Sequence, residues 1–298
     1  MHQRFQAVGQ SMRLPFLVLT PVCLLLGYAS ASLRLARVDY FDFSLVIVAG
    51  LAAHISVNLF NEFFDFKSGL DAKTQRTPFS GGSGSLVVQP EAAAAVLYAA
   101  CFCLALTVVI GGYFVAVTGL ALLPLGLVGV ATIISYTQWI NRHPWLCLLA
   151  PGLAFGPLMV MGTDYVLTGQ YSYTAFYLSL LPFFLSNNLL LLNQLPDISA
   201  DESVGRRQFP SAYGVKASIG AYGAFIAASL ITVLAGVTHL GLPFASLLSV
   251  IPLLLALPVL HGLRHGLPTP ASLTRILAMN VALSLLTPLV FAVSIIVG

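Results

Sequence analysis

Charge is what this chain has least of. Only 8% of its 298 residues are Asp, Glu, Lys or Arg, against about 25% in an ordinary soluble domain. A soluble fold of this length could not cover its apolar core with so little polar surface. Cysteine is scarce as well. Cys23, Cys101, Cys103 and Cys147 lie in or beside apolar stretches, and Cys101-Phe-Cys103 is not a metal spacing. They read as small core residues. The six histidines (His2, His54, His143, His239, His261 and His265) are scattered, which argues against a His-built metal or haem site. His54 reads as a hydrogen-bonded core residue.

What the chain has instead is apolar length. Hydrophobic residues make up 58% of it, and they come in blocks of about the 20 residues needed to cross a bilayer core of about 30 Å. Nine blocks fall near residues 14–33, 43–63, 91–116, 119–138, 145–163, 173–195, 213–236, 242–262 and 272–297. They are continuously apolar rather than alternating, so they are helices and not barrel strands. The fold expected is an all-α integral membrane protein of about nine transmembrane helices, one domain over residues 1–298. Residues 14–28, followed by Ala29-Ser30-Ala31, have the look of a secretory signal. The further spans, and the basic pair Arg34 and Arg37 just behind, favour an uncleaved first helix.

Basic residues orient the bundle. With the amino terminus in the cytoplasm, every Lys and Arg except Arg34 and Arg37 falls on the cytoplasmic side, as the positive-inside rule demands. The net charge of +3 therefore reports orientation in the cell's cytoplasmic membrane and gives no sign of nucleic acid. Nothing calls for an obligate protein partner. The connections expected outside are short, among them Thr163-Asp164-Tyr165 and Thr238-His239-Leu240.

The acidic residues are not spread evenly. Six of ten (Glu62, Asp65, Asp71, Asp197, Asp201 and Glu202) lie in or beside two loops, at about 61–90 and 193–212, both expected on the cytoplasmic side. The other four, Asp164 among them, look like ordinary residues at span ends. In Asn58-Leu-Phe-Asn61-Glu62-Phe-Phe-Asp65, spacings of three and four stack the polar residues on one helix face. In Asn193-Gln-Leu-Pro196-Asp197-Ile-Ser-Ala-Asp201, oxygen-bearing side chains again sit four apart, on one face if the helix continues past Pro196. The positions after helices two and six also suit a loose internal duplication.

Ionisable groups at such depth usually face a cavity with a role. Carboxylate and amide oxygens are hard ligands suited to Mg²⁺, which also takes phosphate oxygens. Candidate ligands are Asn61, Asp65, Asp71, Asn193, Asp197 and Asp201. Lys67, Lys73 and Arg76 follow the first segment, Arg206 and Arg207 the second. Acid followed by base suits a metal-bridged diphosphate. The run Ser80-Gly-Gly-Ser-Gly-Ser85 is either a phosphate-contacting lid or a flexible linker. A transporter or flippase for lipid-linked anions is the alternative class, but transporters place charge near the midplane on broken helices. A CDP-alcohol phosphotransferase would need Asp-Gly and Ala-Arg spacings that are absent.

Asn61-x-x-x-Asp65 with Gly69 and Asp71, the run Arg76-Thr-Pro-Phe-Ser-Gly-Gly-Ser-Gly, and Asn193-x-x-x-Asp197-x-x-x-Asp201 resemble the paired Asp-rich motifs of the UbiA superfamily. Arg13-Leu-Pro-Phe is similar to the family's first helix, and Tyr136 with Gly156-Pro157 and Gly162-Thr163 to its menaquinone-precursor branch. The resemblance implies nine helices around a central cavity open to the cytoplasm and the lipid. It implies Mg²⁺ as cofactor, a polyprenyl diphosphate as donor and a lipophilic, commonly aromatic, acceptor. It also implies Arg13, Lys67, Lys73, Arg76, Arg206 and Arg207 as substrate-binding residues, with Tyr136 and Arg142 as catalytic ones. Gly69 stands where many members carry an Asp, and Ile140 where many carry a Lys. No Glu follows Tyr136 as it does in the naphthoate-specific branch, so the acceptor stays open.

Overall fold

A computed structural model describes every residue except Met1, Gln75 and His265; the side chains of His2 and Gln3 are also outside the described set. His265 and the His2 side chain, two of the scattered histidine positions, therefore lie outside the described residues. The described chain is helical throughout, without strands. In chain order the apolar helices are α1 (Arg4–Ser32), α2 (Tyr40–Ser68), α3 (Pro90–Thr118), α4 (Leu120–Ser135), α5 (Pro144–Thr168), α6 (Tyr173–Ser203), α7 (Phe209–His239), α8 (Phe244–Leu263) and α9 (Pro270–Val297).

Eight of these are long and apolar enough to span a membrane, which differs from the nine full spans expected. The exception is α4, where the block at 119–138 yields a shorter helix. Chain turning at Tyr136–Arg142 ends it early. A second correction concerns Thr163-Asp164-Tyr165, expected as an external loop. These residues lie inside α5, and Asp164 is fully buried. Its two carboxylate oxygens accept from Arg34 Nη2 at 2.5 and 2.6 Å, and Ser172 Oγ donates to it at 3.2 Å. Burying that carboxylate is tolerable because its charge is paired there.

Local chemistry sets the helix ends that matter for the site. Asp39 caps α2, its side chain accepting from Phe41 N and Asp42 N. Gly69, at φ 75°, ends the same helix in the left-handed turn that lacks a Cβ penalty. Pro151 and Pro157 both fall inside α5, and Ala154–Met161 widens into a π-helix. Proline withholds a backbone donor, and a wider turn accommodates the missing bond. Against this stretch α6 comes very close: a Cβ on Gly156 would lie 2.5 Å from Ser179 O. Small residues allow that approach between membrane helices.

The bundle is uneven. α1 and α6 are central, with 61% of each one's most apolar stretch buried, against 22% for α3. The main core joins α1, α5, α6, α7, α8 and α9 through residues such as Leu26, Leu181, Tyr222 and Phe291. α2 and α3 pack on each other around two smaller clusters. A cavity of ≈ 640 Å³ lies between the two groups.

Candidate active site

The cavity has a polar end and an apolar body. Along α2 its lining runs from Val46 to Asp65, about 28 Å at 1.5 Å per residue, nearly the depth of a bilayer core. At the polar end both acidic segments meet. Asn58, Asn61 and Asp65 line it from the last turns of α2, and Asp71 from the short turn beyond Gly69. Asn193, Asp197 and Asp201 line it from the end of α6. The six candidate metal ligands therefore share one chamber.

The second segment is not the continuous helix its spacing suggested. The helix breaks at Gln194, Leu195–Asp197 forms a 3₁₀ turn, and Ile198–Ser203 resumes. Pro196 supplies no donor, so the α-helical ladder stops there. Asn193, Asp197 and Asp201 reach the cavity from three backbone segments instead of one face.

These oxygens suit a hard cation. Asp71 Oδ2, Asn193 Oδ1 and Asp197 Oδ1 are buried with no hydrogen-bond partner among the described residues. Buried carboxylate and amide oxygens left unpaired are costly, and each would gain from a cation. Burial, then the Glu62 and Asp65 carboxylates, push the Asp71 carboxyl up to about 7. No three His, Cys, Asp or Glu side chains among the described residues close round a single point. Mg²⁺, which keeps waters and shares phosphate oxygens, does not need such a cage. The donor set present fits Mg²⁺.

Two cations enter this chamber. Arg206 donates to Asp65 and lies 3.7 Å from Asp201, tying the first segment to the second. Burial opposes its charge, but Asp65 and Asp201 hold the guanidinium above its ordinary range. Arg13 also lines the cavity, 3.2 Å from Glu62, and is the one non-glycine residue with positive φ among those described.

The other predicted cations do not line it, and each has a local reason. Lys67 is exposed on the outer face of α2, over the Phe63 ring at 5.8 Å. Lys73 is exposed, as is Arg207, whose neighbour Arg206 takes the inward direction. Arg76 is a prop: its Nη2 donates to Asp71 O at 2.9 Å, and its guanidinium fills the space a Cβ on Gly84 would need. Arg142 is exposed because the Ile140–Arg142 turn sends Asn141 into the cavity instead. Of the two catalytic candidates, Tyr136 lines the chamber and Arg142 does not.

The glycine-rich loop comes to the site. Ser80, Gly81 and Gly82 line the cavity, and a Cβ on Gly82 would sit 2.9 Å from Asp71 Oδ1. Glu62 holds the loop down. Completely buried, it accepts from Ser83 N at 3.0 Å, from Ser83 Oγ and from Arg13. Glu62 thus stands behind the chamber rather than in it, a role its place in the polar stripe could not specify. Thr137 donates to Asn61, and Gln194 and Gln208 line the wall with unpartnered Oε1 atoms. Sequence spacing carried no signal for these three. His54 shares a 2.8 Å hydrogen bond with Thr20 and meets Phe155 edge-on, the core arrangement expected of it.

Comparison with known proteins agrees with this geometry. A sequence model of the UbiA prenyltransferase family matches residues 16–295. Over 200 residues the chain is 27% identical to the 1,4-dihydroxy-2-naphthoate octaprenyltransferase of Bacillus subtilis (strain 168), a match spanning 66% of this chain and 63% of that protein. In fold it is similar to a UbiA homolog from Aeropyrum pernix K1, with a TM-score of 0.70 and 20% identity over 93% of this chain and 97% of that one. It is also similar to a UbiA homolog from Archaeoglobus fulgidus bound to DMAPP and Mg²⁺, with a TM-score of 0.64 and 13% identity over 96% and 99% of the two chains. With the family model covering nearly its whole length, this chain belongs to the UbiA prenyltransferase family.

Proposed function

We propose that the protein is a Mg²⁺-dependent prenyltransferase that moves a polyprenyl group from its diphosphate to a lipophilic, aromatic acceptor. The observation that carries this reading is the meeting of both acidic segments, with Arg13 and Arg206, at the polar end of a long apolar cavity. The naphthoate octaprenyltransferase relative and the fold neighbour bound to DMAPP and Mg²⁺ support the donor class. The excess of Lys and Arg on the side opposite Arg34 and Arg37 supports a cytoplasmic amino terminus, with the acidic loops facing the cytoplasm.

In this reading Asn61, Asp65, Asp71, Asn193, Asp197 and Asp201 hold Mg²⁺, which supplies charge neutralisation at the diphosphate. The bond between the allylic carbon and the diphosphate oxygen breaks, and Arg13 and Arg206 donate to oxygens whose negative charge grows as it does. The Gly81–Gly82 backbone borders the same space, and Glu62 keeps it and Arg13 in place. The allylic cation is left in an apolar cavity that excludes water, which would otherwise trap it as an alcohol. Aromatic faces at Tyr136 and Phe155 line that space and favour positive charge. Acceptor attack forms the new carbon bond, and the acceptor's displaced proton leaves with the diphosphate.

The deciding measurement is diphosphate release by purified protein given prenyl diphosphates, Mg²⁺ and a panel of quinone-precursor aromatics. Metal-dependent release coupled to a prenylated product is expected. Donor binding without release under every combination would overturn the enzyme reading in favour of transport or binding.

A further inference from the structure

The cavity's apolar body is bordered by glycines where side chains would be expected. Leu122, Gly126, Gly129 and Ile133, with Tyr136 just past the end of α4, recur at spacings of four, three, four and three and share one helix face. All five line the cavity, as do Leu123, Leu127 and Val130 from the flanks of the helix, and Gly126 is exposed to the opening. That face looks across at α5: a Cβ on Gly129 would sit 3.9 Å from Leu158 Cδ1, and Gly162 is close to Leu125. A Cβ on Gly126 would meet nothing within 4 Å. On α3, Gly111 and Gly112 line the far part of the same cavity, and a Cβ on either also finds open space. Glycine costs a helix interior about 1 kcal/mol relative to alanine, and no close helix contact at Gly111, Gly112 or Gly126 offsets it.

The open face is continuous with the diphosphate chamber. Tyr136 ends the α4 stripe beside Asp65 and Arg206, where Asp71 Oδ2, on a residue only 3% exposed, is unpartnered in the cavity wall. Gly126 lies ten residues before Tyr136, about 15 Å along the helix axis. α3 runs antiparallel to α2, with Thr107 Oγ1 donating to Ala49 O. Gly111 and Gly112 therefore lie deeper, near the level of Val46.

We propose that Gly126, with Gly111 and Gly112 beyond it, sets how long a prenyl chain the cavity admits, by leaving the trench unobstructed past the depth of the first isoprene units. The inference rests on the prenyl-donor reading above. It makes Gly126 a specificity-determining position for the tail and gives it no part in breaking the diphosphate bond. Glycine rather than a larger apolar residue is needed there because a side chain would occupy the trench itself.

The test measures binding of geranyl, farnesyl and geranylgeranyl diphosphates, with Mg²⁺, to the full chain and to Gly126→Phe, Gly111→Phe and Gly220→Phe. Gly220 is an exposed glycine of α7 outside the cavity and controls for adding a bulky residue to a lipid-facing helix. Gly126→Phe is expected to lower affinity for geranylgeranyl relative to geranyl diphosphate by about tenfold or more. Gly111→Phe, deeper in the trench, is expected to change the ratio less, and Gly220→Phe to leave it unchanged. A chain-length ratio in Gly126→Phe equal to that of the unsubstituted protein, with the variant eluting as the same folded species, overturns the proposal. Turnover read in parallel separates the two readings: tail-dependent binding without transfer to any acceptor defeats the enzyme reading and leaves this one standing. Absence of donor binding in the unsubstituted protein defeats both.

Discussion

The end of α2 and the end of α6 carry the same Asn-x-x-x-Asp pattern and use it differently. The α2 segment is one unbroken helix to Ser68, and its side chains are engaged: Asn61 with Thr137, Asp65 with Arg206. The α6 segment is interrupted at Gln194, and Asn193 Oδ1 and Asp197 Oδ1 have no partner among the described residues. Each segment has one exception, Asp71 Oδ2 without a partner beyond α2 and Asp201 3.7 Å from Arg206 at the end of α6, so the contrast lies in the Asn and first Asp of each motif. A repeated motif does not imply repeated energetics, because the backbone under it decides which oxygens find partners.

Substituting the two aspartates breaks this comparison most sharply. Asp65→Ala and Asp197→Ala are each expected to reduce diphosphate release by about a hundredfold or more. Their stabilities should part. Asp65→Ala strands the largely buried Arg206 charge and is expected to cost about 3 kcal/mol in denaturant unfolding. Asp197→Ala removes an unpaired buried oxygen and is expected to gain about 1 kcal/mol. Equal destabilisation of both variants would show that the second segment is paired as fully as the first.

A smaller effect is expected from the break itself. Pro196→Ala restores a backbone donor where α6 stops, favouring a straight helix that turns Asp197 away from its present direction. Turnover should fall about tenfold, the scale of loss from misplacing a group by a fraction of an ångström, with thermal stability unchanged or raised. Full activity with a straightened helix, seen in a structure of the variant, would remove Pro196 from the argument.

The smallest effect is a pH dependence on the α2 side. The Asp71 carboxyl is raised to about 7 in the folded protein, so between its ordinary range near 4 and 7 the folded state binds the extra proton. Stability of the ligand-free protein should therefore fall as pH rises through that window. Melting temperatures from pH 5 to pH 8 should show the decline, shallower in Asp71→Asn. An identical slope in the variant would assign the decline to other groups.

Much of this molecule is legible one residue at a time. Length and continuity of the apolar blocks imply a helical membrane protein, and the helices fall on those blocks. The spacing Asn61, Asp65 correctly implied a shared helix face. Legibility fails where a non-local contact decides. Asp164 reads as an ordinary loop-end residue until Arg34, 130 positions away, covers it. Glu62 belongs by spacing to the polar stripe, yet Arg13 and Ser83 draw it behind the chamber. Lys67, Lys73, Arg76, Arg142 and Arg207 share their charge with Arg13 and Arg206, and composition cannot rank them.

Sequence alone was enough for solvent and helix, because hydropathy runs and i, i+4 spacing are properties of a short stretch of chain. Which groups face one another is a different matter. Arg206 reaches Asp65 across 141 positions only because α2 and α6 end at the same level of the bundle. The open space beside Gly126 forms only where α2, α3, α4 and α5 together line one cavity. Both follow from how helices are packed in three dimensions, and no local pattern encodes that.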